Sequence, residues 1–77
     1  MSRIKVVDAK TFEKLLFRLG FSKVRQKGSH AFYKHPDGRT TTLPHHPGRT
    51  LARPLICEIL REIKLSPEEY HRYLEKI

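Results

Sequence analysis

Four of the chain's five histidines, His30, His35, His45 and His46, fall in its middle third, and His71 lies near the C-terminus. An imidazole titrates near neutrality, so it takes a proton from a hydroxyl or returns one to a leaving oxygen at physiological pH. The reaction that asks least beyond this is RNA cleavage, where the substrate's own 2′-hydroxyl is the nucleophile. The protein then has only to seat the phosphate, move protons and stabilise charge on the pentavalent phosphorane. His30 stands apart in the set because Gly28-Ser29 precedes it. Glycine lets a backbone or ligand approach closely, and a serine hydroxyl can contact phosphate or orient the ring. Taken without its neighbours, His30 reads equally as an ordinary residue on the polar face of a strand.

Other chemistries fit less well. His45 and His46 are adjacent, so on an extended chain their rings point apart. No carboxylate or cysteine stands at ligand spacing from them, and no metal or other cofactor is expected. Their loop is instead expected to meet phosphate or base together with Arg49. Ser29 as a nucleophile lacks a Ser-His-acid set, since Asp37 is the nearest acid and occupies a turn. Cys57 lies beside an apolar helical stripe and is expected to pack rather than react. A single cysteine also excludes an intramolecular disulfide.

The charge distribution selects the target. Sixteen Lys and Arg against eight Asp and Glu give a net charge of +8. Residues 22–53 hold Lys23, Arg25, Lys27, Lys34, Arg39, Arg49 and Arg53 against Asp37 alone, and so carry +6 of it. A concentration of this kind attracts nucleic acid through counterion release. Lys23, Arg25 and Lys27, with Phe32 or Tyr33, resemble an RNA-contact strip in which charge meets phosphate and a ring stacks on a base. The residues expected to contact RNA are Lys23, Arg25, Lys27, Gly28, Ser29, Lys34, His45, His46 and Arg49, with His30 as the catalytic group.

These residues need a scaffold, and 77 residues allow one domain with one modest core, spanning 1–77. No apolar run approaches the roughly 20 residues that span a bilayer. The N-terminus, Met1 to Val7, is too short and too charged for a signal peptide. A cytoplasmic protein without membrane contact is expected. Phe12, Leu15, Leu16 and Leu19 follow a helical period between a cap at Asp8 and a C′ glycine at Gly20. From Ser22 the period changes. Lys23–Lys27 alternates basic residues with Val24 and Gln26, which predicts a strand with one charged face. His30–His35 and Arg39–Leu43 are two further strands, joined by a Pro36-Asp37-Gly38 turn. On the second strand His30, Phe32 and Lys34 oppose Ala31, Tyr33 and His35, and each set contains an aromatic, so the pattern leaves its buried face open.

Residues 44–49 read as a loop. Pro54 suits the first turn of a helix whose core positions are Ile56, Ile59, Leu60 and Ile63. Ser66-Pro67-Glu68-Glu69 is a capping box, and Tyr70, Tyr73, Leu74 and Ile77 repeat the apolar stripe on a last helix. The order α-β-β-β-α-α predicts an α+β fold with a three-stranded antiparallel sheet and helices on one face. The other face is left to the basic residues.

Arg25-Gln26-Lys27-Gly28-Ser29-His30, then His35-Pro36-Asp37-Gly38-Arg39 and Thr42-Leu43-Pro44-His45-His46, followed by an Ile-Leu helix, resemble the HicA toxins of bacterial and archaeal toxin–antitoxin pairs. The resemblance runs from the first helix to Ser66-Pro67-Glu68-Glu69. It implies a fold like that of double-stranded-RNA-binding domains, α-β-β-β-α, with a short extra C-terminal helix here. It also implies a metal-independent messenger-RNA endonuclease that arrests translation, with His30 as the essential histidine. A HicB-like antitoxin would occlude the site, the free toxin being a monomer and the inhibited form a hetero-oligomer. Arg53-Pro54 departs from the family, where a glycine is expected, though proline suits the start of a helix. Two other readings stand beside this one: a non-catalytic basic RNA-binding module, and a toxin scaffold that has lost activity and mainly binds its antitoxin.

Overall fold

The computed structural model describes residues 3–77; Met1 and Ser2, the first residues of the segment judged unlike a signal peptide, lie outside the described residues. Helix α1 (Ala9–Arg18) starts where the Asp8 carboxylate accepts the Thr11 N–H at 2.9 Å. It ends at Leu19, followed by Gly20 at φ +99°. Phe12, Leu15 and Leu16 are fully buried along its inner side.

Strands β1 (Ser22–Lys27), β2 (His30–Lys34) and β3 (Thr40–Pro44) form an antiparallel sheet in the order β1-β2-β3. Lys27 pairs with His30 across a two-residue loop in which only Gly28 has positive φ, +59°. A positive φ at the first central position alone is the pattern of a II′ turn, which matches the twist of the strands it joins. Gly28 is thus required by backbone conformation, since a Cβ there would meet open space. The second hairpin connection is one residue longer on each side than the sequence suggests, because β2 ends at Lys34 and β3 begins at Thr40. His35 N–H bonds the Arg39 carbonyl at 2.9 Å, and Gly38 N–H bonds that of His35 at 2.9 Å. Pro44, expected in the following loop, is instead the last residue of β3, opposite His30. An edge strand tolerates the missing N–H donor because one side of its backbone needs no partner strand.

Helices α2 (Arg53–Ile63) and α3 (Pro67–Leu74) complete the chain. Ile56, Ile59, Leu60 and Ile63 pack with α1 against Ala31, Tyr33 and Leu43 of the sheet, so the helices cover one face. The Ser66 capping box is complete, with both reciprocal bonds to Glu69 formed. Tyr70 is fully buried, whereas Ile77, expected in the same stripe, is 40% exposed because the helix ends before it. The N-terminal segment is stitched down by long-range bonds. Tyr70 Oη donates to the Lys5 carbonyl at 2.6 Å, Lys5 N–H to His71 Nε2 at 3.1 Å, and Arg53 Nε to the Ile4 carbonyl at 2.9 Å. His71 is therefore a structural acceptor, and Arg53 has its own structural task beside Pro54.

Candidate nucleic-acid interface

The pleat of β2 settles which aromatic faces the core. Ala31 and Tyr33 are buried, while His30 and Lys34 are exposed and Phe32 is partly exposed on the helix-free side. Across the strands, Arg25 and Thr42 flank Phe32, Lys27 and Pro44 flank His30, and Thr40 faces Lys34. The Arg25 guanidinium lies 4.7 Å from the Phe32 ring centroid, within cation–π range. All eight Asp and Glu lie in helices, at helix caps or in the Asp37 turn, and none in a strand. The open face is thus a surface of Arg25, Lys27, His30, Phe32 and Lys34 without a carboxylate.

Lys23 does not belong to it. Strict alternation would put Lys23 and Arg25 on one face, but the β1–β2 register shifts between them, and Lys23 pairs with Tyr33 while Arg25 pairs with Phe32. A bulge inserts one residue and reverses the side-chain phase beyond it. Val24 takes up the irregularity and is 57% exposed. Lys23 turns to the helix side, its Nζ 3.0 Å from Glu13 Oε2. The expected single charged face of β1 is corrected to Arg25 and Lys27.

A polar network lies on that helix side. Tyr33 Oη donates to Glu13 Oε2 at 2.6 Å and stands 2.9 Å from His45 Nε2. A phenol has one hydrogen to give, so Nε2–H of His45 donates to it, fixing the tautomer. Burial and the adjacent Glu13 carboxylate push the Tyr33 phenol far above its ordinary value. Burial also raises Glu13, but the hydrogen bonds from Tyr33 and Lys23 outweigh it and hold the carboxyl below its usual range. His45 is therefore anchored away from the open face. Its backbone N–H donates to the Ser29 carbonyl at 2.6 Å, bracing the turn that delivers His30.

The remaining expected contacts divide. His46 and Arg49 are exposed on the loop after β3, joined by a 3.1 Å bond from Arg49 N–H to the His46 carbonyl. Arg39 is consumed structurally: it bonds Asp37 at 2.8 Å, lies over Phe21 and donates to the Ile63 carbonyl at the end of α2. Asp37 is held below the ordinary carboxylate range, chiefly by the Arg39 backbone N–H. His35 is likewise occupied, with Nε2 3.0 Å from the Leu19 carbonyl and Nδ1 accepting the Asp37 N–H at 3.1 Å. Among the described residues, no three His, Cys, Asp or Glu side chains cluster as a metal site requires.

His30 is exposed and has no hydrogen-bond or ion-pair partner among the described residues, so both ring nitrogens are available to a ligand. Lys27, directly opposite in register, brings a cation beside it. The arrangement can hold a phosphodiester on Lys27 and the Ser29 turn while the imidazole moves a proton. Sequence reasoning missed Glu13 and Tyr33 as a pair. The one hint was a carboxylate immediately after Phe12, at the border of the apolar stripe. It also passed over Thr40 and Thr42, which read simply as β-formers.

No curated protein matches the chain. The family model described as "HicA toxin of bacterial toxin-antitoxin" matches residues 9–65, from the first turn of α1 through the whole sheet to the residue after the cap of α2. The matched stretch contains the Gly28-Ser29-His30 turn and leaves only the N-terminal segment and α3 outside. The chain therefore belongs to the HicA toxin family.

Proposed function

We propose that this toxin is a metal-independent endoribonuclease that cuts messenger RNA, with His30 as its general acid–base group, and that a HicB-like antitoxin inhibits it by covering the same surface. The observation that carries the reading is the exposed, unpartnered imidazole of His30, set by a II′ turn on a basic face free of carboxylates. In this reading His30 takes the proton of the ribose 2′-hydroxyl as its oxygen attacks the adjacent phosphorus. Lys27 balances charge on the phosphorane, and Ser29 with neighbouring amides holds the non-bridging oxygens. The bond to the 5′-oxygen then breaks, and that oxygen acquires a proton. His45 is committed to Tyr33, which favours Lys27 over His45 as the second group near the reacting phosphate. Arg25, Lys34, His46 and Arg49 extend the phosphate contacts. The protein acts in the cytoplasm, where its substrate is.

The test is incubation of purified protein with labelled RNA, with and without EDTA, for the native chain and for His30→Ala. Cleavage by the native chain in both buffers, and a loss of at least about 100-fold in the folded variant, is expected for a general acid–base group. Cleavage at the native rate by folded His30→Ala removes His30 from the chemistry. RNA left intact in every condition would point to a non-catalytic RNA-binding module.

A further inference from the structure

We propose that the open sheet face is a subsite for single-stranded RNA, in which one unpaired base stacks on the Arg25–Phe32 pair beside the phosphate at His30. The proposal rests on RNA being the ligand, but not on cleavage. Phe32 is an aromatic ring partly exposed on a face that has no helix over it, and its neighbours there are polar or charged. A ring in that position does not contribute to the core, which Ala31, Tyr33 and Leu43 supply. The Arg25 guanidinium lies over the ring, 4.7 Å from its centroid, so a cation and an aromatic face stand together as in sites that accept a base by stacking.

Spacing adds a second argument. His30, Phe32 and Lys34 alternate along β2 on one face, and residues two apart on a strand are about 7 Å apart. A phosphate at His30, a base at Phe32 and a further phosphate at Lys34 thus follow an extended strand. Thr42, opposite Phe32, offers a hydroxyl that both donates and accepts, suited to a base edge. A duplex cannot use this platform, because bases within an A-form helix are stacked on one another and present no free ring face. The fold is one associated with duplex binding, yet this face is built for an unpaired base. An acidic protein segment would also be drawn to the charge, but it would make no use of a ring stacked under a guanidinium.

The measurement is fluorescence anisotropy with a 12-nucleotide single-stranded RNA, the same sequence as a duplex, and an all-abasic strand of equal length. Every protein carries His30→Ala, so that the RNA stays intact. Phe32→Ala is expected to weaken single-strand binding roughly 10-fold or more. Its salt slope should not change, since no phosphate contact is lost. Phe32→Tyr should bind as the parent does, and binding of the abasic strand should be indifferent to Phe32. A circular dichroism melt confirms that each variant is folded. Equal affinity for single strand and duplex, unchanged binding by Phe32→Ala, or an equal loss on the abasic strand would each overturn the subsite. Failure of the cleavage reading would appear separately, in the rate of the His30→Ala protein.

Discussion

Tyr33→Phe is the substitution that tests the network beneath the sheet most sharply. Tyr33 is 1% exposed, and its hydroxyl gives Glu13 a 2.6 Å bond and receives one from His45 at 2.9 Å. Removing that oxygen changes almost no volume, so the loss is confined to polar contacts. Glu13 keeps Lys23 at 3.0 Å but loses its strongest donor, and its side chain is only 16% exposed, so water replaces that donor poorly. A hydrogen bond to a charged group contributes about 1.5–3 kcal/mol. The expected loss at neutral pH is therefore about 2 kcal/mol, which lowers Tm by roughly 8–16 °C for a domain of this size. The pH dependence follows from the same bond. Glu13 is held below its ordinary value of 4.5 in the folded protein, so its contribution is present above that value and is lost as pH falls through the lower folded one. Tyr33→Phe removes part of that depression, and the gap between native and variant proteins should narrow as the pH falls below about 4.5. Other carboxylates titrate in both proteins and cancel in the difference. Urea denaturation at several pH values measures it. A gap below about 0.5 kcal/mol at neutral pH would show that the bond contributes no net stability, and a gap that stays constant into acid would show that its contribution does not depend on the charge of Glu13.

Two further outcomes follow from single contacts. Gly20→Ala should destabilise by about 1–2 kcal/mol in the same assay, because φ is +99° and a Cβ would lie 3.0 Å from His35 Nε2. Lys23→Ala should leave the salt dependence of RNA binding unchanged, because Lys23 is spent on Glu13. Lys27→Ala should lower the slope by about 0.7, the value for one phosphate contact on a single strand. Equal slopes for the two variants would place Lys23 back on the RNA face.

Local physics made much of this protein legible in its sequence. Asp8, Gly20 and Ser66 mark helix ends through bonds and dihedrals that involve near neighbours only, and each does so in the structure. The Pro36-Asp37-Gly38 turn, the apolar periods of α1 and α2 and the order of elements were readable for the same reason. The Gly28-Ser29-His30 element was visible as a motif, although its glycine answers to the φ of a II′ turn more than to close approach.

What only the tertiary structure decided is how the charges and rings are spent. Period two left Phe32 and Tyr33 equivalent, and packing of the helices chose Tyr33 for the core and Phe32 for the open face. One bulge at Val24 separated Lys23 from Arg25, which alternation had placed together. Lys23 found Glu13, ten residues away; Arg39 found the end of α2; His45 found Tyr33; and His71 found the backbone of Lys5. A sequence shows how many cations and imidazoles a chain has. Coulomb and hydrogen-bond energies depend on distance in space, so the fold alone divides those held by the scaffold from those left for a ligand.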